Sequence, residues 1–68
     1  MEIKEKLIRI IEHWIDHNEE HLLEYKRWAD IAIANNFKDV DKAIKIATEK
    51  VREANEELQK ALSFLEPS

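Results

Sequence analysis

The sequence contains no glycine, and its single proline is residue 67. Glycine and proline are the residues that most strongly disfavour a helix interior, so almost nothing between the two ends would interrupt one. Much of the chain consists of Glu, Lys, Ile, Leu and Ala, which are abundant in amphipathic helices. We therefore expect an all-α fold.

One segment is typical of a turn between two helices. It reads Asn35-Asn36-Phe37-Lys38-Asp39, in which an Asn can adopt the left-handed conformation that ends a helix. Asp39 can then cap the next helix. The sequence therefore predicts helices over 3–34 and 40–65, joined by a turn at 35–39, in a single helical-hairpin domain spanning 1–68.

A competing interpretation breaks the first helix near its middle. Asn18 is followed by Glu19 and Glu20, and acidic residues are favoured near the positive end of a helix dipole. We favour a continuous helix, because the hydrophobic spacing keeps its register across Asn18 and no Gly or Pro supports a break there.

Both predicted helices carry series of residues that alternate four and three positions apart, the spacing of coiled coils. On the first helix the series is Ile3, Leu7, Ile10, Trp14, His17, His21, Glu24, Trp28 and Ile31. On the second helix it is Val40, Ile44, Ala47, Val51, Ala54, Leu58, Ala61 and Leu65. The small alanines would let a partner helix approach closely or place large side chains over them. We expect an antiparallel hairpin with heptad packing.

In such a hairpin, residues whose numbers add up to about 74 lie at the same level. Asn18 is then close to Asn55, and a polar layer of this kind can fix the register and the oligomer number of a bundle. In an alternative role, Asn18 orients a histidine or a bound ligand. The same pairing puts His17 near Glu57.

The apolar face of the first helix spans about 160° in projection, which is wider than a single partner helix can cover. A hairpin of 68 residues also has a marginal core. We therefore expect a homodimer that forms an antiparallel four-helix bundle, with Ile10, Trp14 and Trp28 at the interface. A tetramer, or a complex with another partner helix, would also bury this surface.

Three histidines, at positions 13, 17 and 21, follow one another at four-residue intervals. Neighbouring imidazoles on one helical ridge can bind the same divalent transition-metal ion, and carboxylates from the facing helix can complete the site. The candidate ligands are His17, His21, Glu53 and Glu57. Two other interpretations stay open: a buried, hydrogen-bonded layer of His and Asn, and exposed histidines without a special role.

Composition excludes several classes of function. The net charge is −4 without a cluster of Lys and Arg, so we expect no nucleic-acid partner. Charges interrupt every apolar run before the ~18 residues that a membrane span needs, so we expect a soluble, cytoplasmic protein without a membrane partner. Cys and a Gly-rich phosphate loop are absent, and neither Thr48 nor Ser63 is near a histidine in the predicted pairing. We therefore expect no enzymatic activity and no cofactor apart from such a metal ion.

The segment His13-Trp14-x-x-His17-Asn18-x-x-His21 resembles one found in short uncharacterised helical proteins, mainly archaeal. The resemblance implies a small archaeal helical protein and transfers no catalytic residue. From the residues themselves, the function we favour is a homo-oligomeric bundle that acts as a protein-interaction or structural module. The alternatives are a metal-binding bundle and an assembly that responds to pH through its imidazoles.

Overall fold

The computed structural model describes residues 2–66, and over this range the chain forms two α-helices. Helix α1 runs over Glu2–Ala34 and helix α2 over Lys38–Leu65. They pack side by side as an antiparallel hairpin about 52 Å long and 15 Å wide. The predicted all-α hairpin is therefore confirmed. Helix α1 has no break at Asn18, so the competing interpretation is wrong. Pro67 lies outside the described residues.

A hydrogen-bonded turn ends α1 at Asn36, whose φ of 69° lies in the left-handed region. The N–H of Phe37 donates to the carbonyl of Ala32 at 2.9 Å, and the N–H of Asn36 donates to the carbonyl of Ile33 at 3.1 Å. These two bonds form a Schellman motif, which satisfies carbonyls that the end of a helix leaves free. Asn tolerates the left-handed conformation better than most residues, which explains why the helix ends here.

Helix α2 begins at Lys38, two residues before the predicted start at Val40. Phe37 occupies the N-cap position and makes no side-chain hydrogen bond there, so Asp39 is not the cap that the sequence suggested. The shift arises because the Schellman motif already closes the turn at Phe37. Asp39 instead lies in the first turn of α2, where its carboxylate interacts favourably with the helix dipole.

The side chains packed between α1 and α2 follow heptad spacing along both helices. On α1 the buried and half-buried residues are Ile8, Ile11, Ile15, Asn18, Leu22, Tyr25, Ala29 and Ala32. On α2 the corresponding heptad series is Asp41, Ile44, Thr48, Val51, Asn55, Leu58, Leu62 and Leu65. Taking Asn18 and Asn55 as one layer, the two series pair throughout their length, from Ile8 with Leu65 to Ala32 with Asp41. We call these residues the core series.

The core series differs from the predicted one by a rotation of one residue. On α1, the predicted series from Ile3 to Ile31 does not face α2. On α2, four predicted positions belong to the core series. Val40 and Ala54 are exposed, whereas Ala47 and Ala61 are half-buried beside that series. The close approach of the helices next to the turn favours this rotation. Ala29 and Ala32 bring the two backbones together close to the turn, where the larger side chain of Trp28 would not fit between them.

Within residues 2–66, neither helix combines the length and the apolar character needed to cross a bilayer.

Replacing Asn36 tests the turn. We expect Asn36→Ala to lower the free energy of unfolding by about 1–2 kcal/mol, because a Cβ without a polar group is disfavoured in the left-handed conformation. Asn36→Gly should preserve or increase stability, because glycine adopts positive φ freely. Urea unfolding followed by circular dichroism at equal protein concentrations measures both variants. Equal stability of the Ala and Gly variants would contradict this account of the turn.

Candidate functional site

Asn18 and Asn55 join the two helices at the middle of the hairpin. The Nδ2 group of Asn18 donates to Oδ1 of Asn55 at 2.8 Å. The Nδ2 group of Asn55 donates in turn to the backbone carbonyl of Ile15 at 3.3 Å. Both side chains are half-buried. Asn55 therefore contacts a side chain and the backbone of α1 at once, since its Oδ1 accepts from Asn18 and its Nδ2 donates to Ile15.

These contacts are the polar connection between the helices. Within residues 2–66, every other side-chain hydrogen bond and every ion pair joins residues three or four positions apart in the sequence. Among them, Thr48 belongs to the core series and satisfies its hydroxyl on the carbonyl of Ile44 at 3.0 Å. A shift of the helices along each other would therefore separate the Asn18–Asn55 pair, although it could preserve many apolar contacts.

A row of rings runs along α1 beside the Asn pair. The ring centroids of His13 and His17 are 5.9 Å apart, those of His17 and His21 are 4.5 Å apart, and those of His21 and Tyr25 are 6.0 Å apart. His17 and His21 meet edge to face, with their Nε2 atoms 3.0 Å apart. Because a hydrogen bond needs one donor and one acceptor, one Nε2 carries a proton in this arrangement and the other does not.

The four predicted metal ligands do not come together within one chain. The described part of the chain holds no group of three or more His, Asp or Glu side chains placed to bind an ion. The carboxylate of Glu57 accepts a hydrogen bond from Nζ of Lys60 at 2.9 Å, which raises the pKa of Lys60. Between residues 2 and 66, neither Glu53 nor Glu57 is hydrogen-bonded to a histidine. The structure therefore supplies two converging imidazoles, at His17 and His21.

The predicted series of α1 lies on the surface. Its apolar members are exposed by between 37% and 62%, and the two Trp side chains are about half-exposed. We call it the tryptophan series: Ile3, Leu7, Ile10, Trp14, His17, His21, Glu24, Trp28 and Ile31. The guanidinium of Arg27 lies 5.7 Å from the centre of the Trp28 ring. The predicted interface residues Ile10, Trp14 and Trp28 are thus all accessible in the single chain.

Helix α2 contributes small residues to the same face of the hairpin. Val40, Ala47, Ala54 and Ala61 each precede a member of the core series by one position, as the tryptophan series does on α1. Because the helices are antiparallel, this equal offset turns both series toward the same side. Near the turn, Trp28, Ile31 and Val40 line a common open depression. The result is one continuous face with large residues on α1 and small residues on α2.

The opposite face of the hairpin is more polar. Its side chains line an open groove that includes Leu23 and Ile46, exposed by 73% and 59%. Around these two residues lie charged groups, among them the ion pair between Lys26 and Asp30 at 3.2 Å. The two faces therefore differ, because one carries a long apolar series, whereas on the other the exposed Leu23 and Ile46 are interspersed with charged groups.

Asp41 is a buried acidic residue that the sequence did not single out. Its i, i+4 spacing from Lys45 suggests an ordinary solvent-exposed ion pair. The pair does form, at 3.1 Å, but the Asp41 side chain is only 6% exposed and its Oδ1 atom has no hydrogen-bond partner within residues 2–66. The small side chain of Ala32 at the same level leaves room for it. Only the shift of the core series by one residue would have revealed this burial.

Comparisons with known proteins identify relatives of the chain but assign no activity. The family model described as "Domain of unknown function (DUF8180)" matches residues 7–65. An uncharacterized protein of Archaeoglobus fulgidus is 34% identical over 61 residues, which cover 90% of this chain and 97% of that protein. No solved structure matches the chain. The expected likeness to short uncharacterised archaeal proteins is confirmed, whereas neither match tests the segment 13–21 that suggested it.

Removing one member of the Asn pair should lower the stability of the fold by more than the loss of one exposed hydrogen bond does. We expect Asn18→Ala to lower the free energy of unfolding by about 1–3 kcal/mol, because Oδ1 of Asn55 then stays partly buried without a donor. Asn35→Ala is a matched control, since it removes an exposed bond from Nδ2 to the Ile31 carbonyl; its effect should be within about 0.5 kcal/mol. Urea unfolding at matched concentrations distinguishes the two variants. Equal losses would show that the Asn pair has no special role.

Proposed function

The chain belongs to the DUF8180 family of domains of unknown function, and we propose that this member is a homodimeric four-helix bundle that acts as a small protein-interaction or structural module. The observation that carries the proposal is the exposed tryptophan series. Residues 2–66 of a single chain bury four apolar side chains, Ile11, Ile15, Ala29 and Ala32, which make a small core. A second copy of the chain would present the same exposed series and would cover it.

The tryptophan series is complementary to itself when two copies of α1 run antiparallel. If residues whose numbers add up to 38 face each other, Leu7 meets the partner's Ile31 and Ile10 meets the partner's Trp28. At the centre, His17 meets the partner's His21. Apolar side chains thus oppose apolar ones and imidazoles oppose imidazoles, as a two-fold interface requires. Trp14 meets the partner's Glu24, whose carboxylate can accept the indole N–H.

Helix α2 supports the same symmetry axis. The pairing above places the two-fold axis at the level of residue 19, and the Asn18–Asn55 bond puts residue 54 of α2 at that level. The three alanines of the heptad series predicted for α2 are symmetric about Ala54, since Ala47 and Ala61 lie seven residues to either side. An axis through Ala54 brings Ala47 opposite the partner's Ala61. Small residues would then meet small residues, which allows two helices to approach closely.

The buried area also suits a dimer. Each Trp ring is about half-exposed, so a dimer that covers Trp14 and Trp28 of both copies would remove roughly 100 Å² from water per ring. At about 25 cal/mol per Å² the four rings together contribute roughly 10 kcal/mol, comparable with the ~4–15 kcal/mol that association costs in lost freedom. The remaining apolar residues of the series would then determine the net affinity.

In this dimer the groove with Leu23 and Ile46 stays on the outside, flanked by charged residues. It is the surface that we assign to a helix of another protein, since two apolar anchors within a charged rim fit an amphipathic helix. A cytoplasmic location remains a prediction from the sequence.

An assembly that responds to pH is a second candidate, favoured by the 3.0 Å contact between His17 and His21. If both rings are protonated, both Nε2 atoms become donors and the contact becomes repulsive. The charged groups nearest in the predicted pairing are Glu24 on α1 and Lys50, Glu53 and Glu57 on α2. In the proposed dimer four imidazoles meet, so their combined positive charge would oppose association.

Introducing a charge on the apolar face tests the interface. We expect Leu7→Lys to dissociate the dimer, because it places an ammonium group against the partner's Ile31 at both ends of the interface. Leu23→Lys is the matched control, an exposed leucine on the same helix but on the opposite face. Sedimentation equilibrium should show a dimer for the wild type and for Leu23→Lys, and a monomer for Leu7→Lys. A monomeric wild type would refute the dimer, and dissociation by Leu23→Lys would assign the interface to the other face.

The pH-dependent candidate is tested by the same measurement at two pH values. We expect the dimer dissociation constant to rise between about pH 8 and about pH 5, where imidazoles gain protons. The change should be absent from the His17→Gln/His21→Gln variant, which keeps polar side chains of similar size without titrating. Identical association of the wild type at both pH values would eliminate this candidate and leave the dimer itself untouched.

A further inference from the structure

The two imidazoles that meet on α1 have the geometry of a pair of metal ligands. Their Nε2 atoms are 3.0 Å apart, and both rings lie on the exposed face of the hairpin. Two nitrogens bound to one tetrahedral ion at 2.0–2.1 Å are separated by about 3.3 Å. A small rotation of the two side chains would therefore convert their hydrogen bond into a chelate.

One chain supplies too few ligands for a stable site. A tetrahedral ion takes four donors, and the described residues of a single chain place no three His, Asp or Glu side chains together. The missing donors are present in the proposed dimer. With His17 opposite the partner's His21, and His21 opposite the partner's His17, two pairs of imidazoles lie in adjacent layers at the two-fold axis. Facing helices 8–10 Å apart bring such side chains to a common point midway.

We propose that these four imidazoles form a shared site that binds one divalent transition-metal ion per dimer, with zinc as the reference ion. The inference rests on the proposed dimer, because the site does not exist without the second copy. Neutral imidazole nitrogens suit Zn²⁺, Ni²⁺, Co²⁺ and Cu²⁺ and do not suit Mg²⁺, which prefers oxygen. An ion on a two-fold axis is bound by equal numbers of ligands from both copies, and two from each copy complete a tetrahedron.

The neighbouring layers fit such a site. Trp14 on one side and the partner's Trp14 on the other flank the histidines in the paired series, so large apolar rings would limit access of water to the ion. The site also explains why polar residues occupy the centre of an otherwise apolar series. Glu53 and Glu57 are not needed as ligands, and Glu57 keeps its contact with Lys60.

Native mass spectrometry of the full chain, without metal and then with Zn²⁺ or Mg²⁺, tests the inference. We expect the wild type to be dimeric in every sample and to gain one zinc ion per two chains, with no specific uptake of Mg²⁺. The His17→Ala/His21→Ala variant should remain dimeric and bind no zinc. His13→Ala is the matched control: it removes an imidazole from the same ridge but outside the tryptophan series, and it should keep the ion.

The outcomes separate the metal site from the dimer. A dimeric wild type that takes up no zinc would refute the site and leave the proposed function standing. A monomeric wild type that takes up none would refute both, and one ion bound per single chain would refute a shared site. Retention of zinc by the double variant would place the ion elsewhere. If that variant loses helical circular dichroism, His17→Gln/His21→Gln, which preserves polar side chains of similar length, is measured in its place and must lose the ion.

Discussion

The hydrogen bonds of Asn55 to α1 determine how the two helices face each other. Apolar heptads alone do not determine which side of α1 faces α2, because α1 carries two parallel series that could each pack on α2. Asn18 belongs to one of them and pairs with Asn55 at 2.8 Å, whereas His17 and His21 belong to the other. A half-buried amide without its partner would cost about 1–3 kcal/mol. This cost favours the arrangement in which Asn18 is inside and the histidines are outside.

The burial of the core series determines which side chains of α1 remain on the surface. Two small residues of the core series, Ala29 and Ala32, fill the gap near the turn. The bulkiest side chains of α1 therefore lie in the tryptophan series. A hairpin only 15 Å wide has no second layer to cover them. The same interaction that fixes the hairpin therefore leaves Trp14 and Trp28 half-exposed, on the surface that the proposed dimer would cover.

The sequence predicts what depends on local preferences. The lack of Gly and the Asn35-Asn36 pair are sufficient to place two helices and one turn, and the level of Asn18 with Asn55 follows from the turn. The rotation of α1 does not follow, because the two series differ by one residue and are both rich in Ile. The buried position of Asp41 depends on that rotation, so the sequence suggested only an exposed pair with Lys45. The convergence of His17 and His21 could be predicted, but not the absence of Glu53 and Glu57 beside them.

The histidines at the centre of the tryptophan series, His17 and His21, are not accounted for by apolar packing in the proposed dimer. Ile or Leu at positions 17 and 21 would bury more apolar area and would associate more strongly. Burying a polar group without a partner costs about 2–7 kcal/mol, so histidines at a dimer axis weaken the interface unless something satisfies their nitrogens. The intrachain hydrogen bond satisfies one Nε2 of each pair as a donor and the other as an acceptor. In the proposed site a metal ion would instead bind all four Nε2 atoms and link the two copies, which would make the centre of the interface its most specific part.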